Sequence, residues 1–195
     1  MNSKYENSSV MKKNVLLTGG TGFIGKKLTE LLIENGFSVS ILSRTAKQNY
    51  ADISYFQWDV ESGTIDEEAI LKADYVIHLA GENIGAKRWT ASRKKAVLDS
   101  RVKSTKLLST CLKLNNKKLD AFISASGVGI YGAITDEQLC DETTPPANDF
   151  LGTVCQEWES ATIPIHELGI RTVQIRTGLV LGKDDGVLKQ LAPLF

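Results

Sequence analysis

Short apolar runs alternate along this chain with longer stretches whose apolar residues recur every three or four positions. The first run, NVLLT at 14–18, has the length and content of a short buried strand. Residues 23–35 follow with Ile24, Leu28, Leu31 and Leu32 at helical spacing, and Gly36 is placed to end that helix. FSVSIL at 37–42 and ISYFQW at 53–58 read as the second and third strands. Asp66 is positioned to cap a short helix that ends near Lys72. DYVIHLA at 74–80, almost wholly apolar, is the expected fourth strand, and a long helix is expected over 90–114. LDAFISAS at 119–126 gives a fifth strand. A second long helix starts near Phe150 and carries Leu151, Val154, Cys155 and Trp158 on one stripe; Pro164 should kink or restart it. RTVQIR at 171–176 is the sixth strand.

Strands that alternate with helices, and whose centres are apolar throughout, predict an α/β fold: a parallel sheet covered on both faces. No internal repeat or low-complexity linker interrupts the order. The 195 residues suffice for one well-buried domain, expected over 12–195. The polar segment 1–11 before it is expected to be frayed, with Met11 a candidate functional start.

The join between the first strand and the first helix is GGTGFIG, residues 19–25. It contains G-x-G-x-x-G at Gly20, Gly22 and Gly25, and G-x-x-G-x-x-G from Gly19. A strand before it and a helix after it are the context in which such glycines bind a dinucleotide. They permit a tight turn, let the backbone approach a pyrophosphate and let the helix lie close on the strand. The free N–H groups and positive end of the helix then hold the anion. A glycine-rich turn without a ligand is the plain alternative. At the end of the second strand an NAD-selective site usually carries an acid for the ribose 2′-hydroxyl. Here Ser43 stands in that place and Arg44 follows. A carboxylate would repel a 2′-phosphate, whereas a serine and a guanidinium can hold it. NADP is therefore the expected cofactor and NAD the second choice, with Arg44 as a merely solvated charge the alternative.

Composition narrows the partners. Lys and Arg total 23 and Asp and Glu total 23, so no charge excess favours a nucleic acid or a membrane surface. No apolar stretch is long enough to span a bilayer, and the N-terminus lacks a signal-peptide core, so cytoplasm is the expected location. Cys111, Cys140 and Cys155 are scattered and odd in number, which argues against a disulfide framework or a zinc site. His78 sits inside an apolar strand and has only His166 as a fellow, so no metal is expected and a neutral buried imidazole bonded to backbone is.

TGGTGFIG, WDV after the third strand, ADYVIHLAG at the fourth and SASGVGIYG at the fifth resemble the extended short-chain dehydrogenase/reductase superfamily. HLAGENI…KRWT, FLGTVCQEWE and IRTGLVLG resemble, more narrowly, its atypical epimerase-family subgroup, which is nucleotide-sugar epimerase-like. The resemblance implies a Rossmann fold, a doubly wound sheet of strand order 3-2-1-4-5-6. It implies that Gly19, Gly20, Thr21, Gly22, Phe23, Ile24 and Gly25 form the phosphate turn. Asp59 and Val60 match the pair that holds adenine, and Leu79, Ala80 and Gly81 the loop under the cofactor ribose. Ser126 matches the catalytic Ser/Thr, with Ser124 as second choice, and Tyr131 lies where the superfamily's YG ending approaches substrate. Local hydrogen bonding at a strand end is the plain alternative for the serines. Members of the subgroup are longer, so a seventh strand and most of a C-terminal substrate domain are expected to be missing here. The expectation is that the chain is either a fragment of a longer protein or a gene product cut short.

The superfamily carries Tyr-x-x-x-Lys early in the helix after the fifth strand, where the tyrosine moves a proton and the lysine lowers its pKa. Phe150 or Leu151 falls on the tyrosine position and Val154 or Cys155 on the lysine position. Neither substitute moves a proton as that pair does. In GENIGAKRWT, residues 81–90, Asn83, Lys87, Arg88 and Trp89 could read an anionic or sugar-like substrate, or simply pack on the next helix. The helices at 90–114 and 150–163 match those that form a homodimer face in relatives, though packing on the sheet explains their stripes equally. The expectation is an NADP-binding epimerase- or reductase-like enzyme for a small polar or sugar-nucleotide substrate. The rival is a dinucleotide-binding regulatory or scaffold protein without turnover.

Overall fold

A computed structural model of the chain describes residues 12–45, 47–133, 137 and 139–182; the segment 1–11 expected to be frayed lies outside them. The described residues form seven strands: β1 (Asn14–Thr18), β2 (Ser38–Ser43), β3 (Ile53–Asp59), β4 (Thr64–Ile65), β5 (Tyr75–His78), β6 (Ala121–Gly127) and β7 (Thr172–Thr177). The helices are α1 (Phe23–Glu34), α2 (Glu67–Lys72), α3 (Ala91–Leu114), α4 (Phe150–Ser160) and α5 (Ile163–Glu167). The sheet runs β4-β3-β2-β1-β5-β6-β7. Every pairing is parallel except that of β4, which lies antiparallel to β3. Without β4 this is the expected order 3-2-1-4-5-6, a Rossmann sheet. β4 escaped the sequence reading because two residues are too few to show a period.

The order reverses between β1 and β5, whose carboxyl ends diverge into a crevice. One face of the sheet packs Leu16, Phe56, Val76 and Phe122 against Leu108 and Leu112 of α3 and Ile165 of α5. The other packs Leu17, Val39 and Ile41 against Leu28, Leu32 and Ile33 of α1. The rotation of α1 corrects the expected apolar face. Ile24 and Leu31 are 43% and 54% exposed, while Gly25 and Thr29 are buried. The helix is turned by Gly25, where a Cβ would stand 2.2 Å from the carbonyl oxygen of Gly19. Only a bare Cα fits, and the residues that follow it at helical spacing then meet the sheet.

The stripes of α3 and α4 are largely covered within the chain: Val97, Leu108, Leu112, Val154 and Trp158 are all buried. α4 ends at Ser160 and α5 restarts with Pro164 in its first turn, as the proline demanded. Among the described residues no disulfide joins the cysteines; Cys111 and Cys155 are buried and Cys140 is exposed.

Candidate functional site

The turn after β1 divides its labour among the glycines. Gly19 has φ +71°, and a Cβ there would press on Leu79 and Ala80 backbone at 3.0–3.1 Å. Gly20 lies against Ile41, and Gly25 against the turn itself. Gly22 is different: the one atom near its missing Cβ is Gly19 O at 3.3 Å, so its far side is open. Gly22 is also the N-cap of α1. It offers no side chain to the first turn, and no acidic residue stands there. By contrast, Asp66, Thr90 and Asp149 cap α2, α3 and α4 with side-chain oxygens. Uncapped N–H groups with an open approach form an anion cradle.

A cleft of about 980 Å³ opens in front of that cradle. Gly19, Thr21, Gly22, Ser43, Arg44, Asp59, Val60, Leu79, Ala80 and Gly81 all line it. Of the other nominated cofactor residues, Gly20 and Gly25 serve packing, the Phe23 ring lies against Gly182, and Ile24 faces a second cleft. Ser43 is buried and its Oγ accepts from Thr45 N, so Arg44 and Lys47 supply the exposed cations at that end. Lys47, which also lies over the Tyr55 ring, was missed because a lysine in a polar loop carries no pattern. Lys87 lines this same cleft. Glu82 sits nearby, held below the ordinary carboxylate range by the Arg93 hydrogen bond, with the charges of Arg44 and Lys87 assisting. Asp59 caps its own turn by accepting from Glu61 N and Ser62 N, and these bonds lower its pKa.

The floor between β1 and β5 is a closed polar chain. Thr18 Oγ1 accepts from Leu79 N and Ala80 N, both at 3.1 Å, and lies 2.7 Å from His78 Nδ1. With both lone pairs used, the hydroxyl donates to Nδ1. His78 Nε2–H then donates to Ser104 Oγ, whose own proton goes to the Ser100 or Arg101 carbonyl. His78 is thus a neutral Nε2–H tautomer, with pKa lowered to about 3 by burial and by the Arg101 charge. Its neutrality was expected; its partners are side chains, not backbone.

The second cleft, about 1210 Å³, lies beyond Leu79 along the same edge. Ser126 and Tyr131 both line it. Ser126 Oγ donates to Glu159 Oε1 at 2.6 Å. Arg176 grips the Glu159 carboxylate through Nε and Nη2, each 2.9 Å, and its Nη1 donates to Tyr131 Oη at 2.9 Å. Tyr131 in turn donates to the Asp141 carbonyl. Burial alone would raise the Glu159 pKa, but the Arg176 and Ser126 hydrogen bonds outweigh it and the net shift is downward. The same contact raises Arg176 further above its ordinary value. Glu159 and Arg176 lie on α4 and β7, far from SASGVGIYG in sequence; they fall within FLGTVCQEWE and IRTGLVLG, but the sequence reading gave neither residue a role.

Leu151 and Cys155 face this cleft; the Phe150 ring does not, and packs instead on Trp89 at 5.1 Å and under Lys94. Burial pushes the Cys155 thiol up, so it is no thiolate. Ser124 is buried and bonded to the Ala125 carbonyl. In the 81–90 loop, Asn83 Oδ1 accepts from Gly85 N and Trp89 Nε1 donates to Ile84 O, so both shape the loop itself. Arg88 is exposed and lines neither cleft. Among the described residues, no His/Cys/Asp/Glu group could hold a metal, and no helix is long and apolar enough to cross a membrane.

A sequence profile described as "NAD dependent epimerase/dehydratase family" matches residues 15–187. The chain belongs to that family. An epimerase family protein of Mycobacterium leprae (strain TN) is 37% identical over 184 residues, covering 94% of this chain and 58% of its own length. One from Bacillus subtilis (strain 168) is 34% identical, with 92% and 59% covered. The chain thus spans under two thirds of the length of these curated relatives. Among solved structures, a nucleoside-diphosphate sugar epimerase from Corynebacterium glutamicum superposes with TM-score 0.79 at 34% identity, over 94% of this chain and 38% of that one. A human epimerase family protein solved with NADPH gives TM-score 0.76 at 30% identity, over 92% and 58%.

Proposed function

We propose that this family member binds NADP(H) in the first cleft and works as an epimerase- or reductase-like oxidoreductase on a small polar or sugar-nucleotide substrate. The observation that carries the reading is the uncapped start of α1 at Gly22, open in front and flanked at the end of β2 by Ser43 and Arg44 with no carboxylate. The human relative solved with NADPH supports the phosphorylated cofactor. The phosphate turn would hold the pyrophosphate, Arg44 and Lys47 the 2′-phosphate, and Asp59 and Val60 the adenine. Leu79–Gly81, fixed by Thr18, would lie under the nicotinamide ribose. A bound nicotinamide supplies the hydride donor or acceptor.

The chain's own residues are poorly placed to move the accompanying proton. Ser126 gives its proton to Glu159, Tyr131 gives its own to the Asp141 carbonyl, and Cys155 is kept protonated by burial. This favours a second reading, dinucleotide binding with slow turnover or none. Calorimetry with NADPH and NADH tests the cofactor: NADPH should bind more tightly, and Gly22→Val should remove binding from a folded protein. Equal affinity for the two would refute the NADP assignment. Loss of NADPH absorbance against a carbonyl panel then separates enzyme from binding protein.

A further inference from the structure

The second cleft contains one charged side chain among its described lining residues, Arg101. It is 7% exposed, on the buried stripe of α3 between Val97 and Thr105. Of its three guanidinium nitrogens only Nη1 is engaged, donating to the Val97 and Glu82 carbonyls at 2.9 and 3.1 Å, with Ser100 Oγ at 3.5 Å. Nε is buried without a partner, and Nη2 makes no hydrogen bond among the described residues. No described carboxylate forms an ion pair with it; Glu82, the acid of the adjoining loop, is taken by Arg93 at 2.6 Å. The guanidinium lies over the Trp158 ring at 4.9 Å, and Trp158, which also lines the cleft, has its own Nε1 buried without a partner. Gly81 is bare where the guanidinium passes: a Cβ there would stand 3.0 Å from Arg101 Cζ.

A buried cation without a carboxylate in contact, helped only by the more distant Glu82 charge, is costly and is retained where something repays it. Support of the Glu82 carbonyl uses one nitrogen and needs no full charge. The rest of the cleft is mostly apolar, with Ile77, Leu79, Ile84, Ile123 and Leu151 among its walls. We propose that Arg101 makes this cleft an anion-binding site for a small carbonyl compound with one carboxylate and an apolar body. Such a ligand places its carboxylate on Arg101 and its chain on the isoleucines and leucines. A sugar diphosphate would bring many hydroxyls to walls that offer them few partners. This narrows the substrate class of the proposed oxidoreductase and rests on that reading only for the chemistry, since Arg101 is present in the cofactor-free protein.

The test is calorimetry of the whole chain with 2-oxohexanoate, 2-hexanone and UDP-glucose, with and without NADPH, whose own binding is measured in the same samples. 2-Oxohexanoate should bind about tenfold or more tightly than 2-hexanone, the discrimination expected of one charge-assisted hydrogen bond. It should also bind more tightly than UDP-glucose. Arg101→Gln should erase the preference for the acid while NADPH still binds. If that variant does not fold, the comparison of acid and ketone on the unaltered protein decides. Equal affinities, no binding of the acid, or tighter binding of UDP-glucose would each overturn the proposal. Binding of the acid without binding of NADPH would leave it standing and refute the cofactor reading instead.

Discussion

The turn after β1 and the region after β6 stand on the same edge of one sheet, yet they are built in opposite ways. The first is backbone. Its working parts are seven consecutive residues, its rigidity comes from missing side chains, and its ligand groups are N–H donors that folding leaves uncapped. The second is a web of side chains from β6, the Val128–Tyr131 turn, α4 and β7, each holding another's polar atoms. The first keeps donors available; the second uses its donors up. Most of a backbone cradle, Gly19, Gly20 and Gly25 here, cannot be altered without straining the fold, whereas a side-chain web can keep its shape while its chemistry changes. In the second region Leu151, Val154 and Cys155 put apolar groups and one thiol on the cleft wall, where α4 carries no tyrosine or lysine.

The contrast can be broken most sharply at Gly25. Gly25→Ala puts a Cβ 2.2 Å from Gly19 O, and urea denaturation should show a loss of about 3 kcal/mol. Gly22→Ala, whose Cβ meets nothing closer than 3.3 Å, should cost about 1 kcal/mol or less. Equal losses would mean that the two glycines do not divide packing from binding.

On the other side of the comparison, Glu159→Gln removes the charge that Arg176 requires while keeping an acceptor for Ser126. Both side chains are largely but not wholly buried, at 13% and 20% exposure, so about 2–3 kcal/mol should be lost in the same assay. The folded Glu159 pKa lies below its ordinary 4.5, so this contribution is present above that pH and is lost as pH falls through the folded value. A variant as stable as the parent would show that the web is decorative.

His78, beneath the two regions, supplies a cleaner pH signal. Its folded pKa is about 3 against an ordinary 6.5, so the unfolded chain takes up its proton first and stability falls as pH drops below 6.5. By pH 5, before most carboxylates titrate, about 2 kcal/mol should be gone. Thermal melts of His78→Asn across pH 5–7 should lack this slope. A parent protein with no slope in that window would contradict a buried neutral imidazole.

The smallest effect belongs to Arg44, which is exposed. Arg44→Ala should weaken NADPH about tenfold and leave NADH nearly unchanged, as read by calorimetry. A parallel loss for both cofactors would assign Arg44 to the pyrophosphate rather than to the 2′-phosphate.

Local pattern alone determined the order of the elements other than β4, the caps at Asp66 and Gly36, the break at Pro164 and the place of the glycine turn, because each depends on residues within a few positions of one another. The same pattern placed Ser43, Arg44, Asp59 and Leu79–Gly81 at strand ends, and parallel strands carry their ends to one edge. Tertiary structure decided the rest. The rotation of α1 came from one steric contact between Gly25 and Gly19 across the turn, and periodicity cannot report a contact. The partners of His78 are side chains 60 and 26 residues away. Glu159 meets Ser126 across 33 residues, and Arg176 meets Tyr131 across 45. Arg101 looked like one charge among many on a basic helix, although it stands four residues from both Val97 and Thr105 on the buried stripe. A charge shows its role only when packing has removed the water around it, and that removal is a property of the assembled fold.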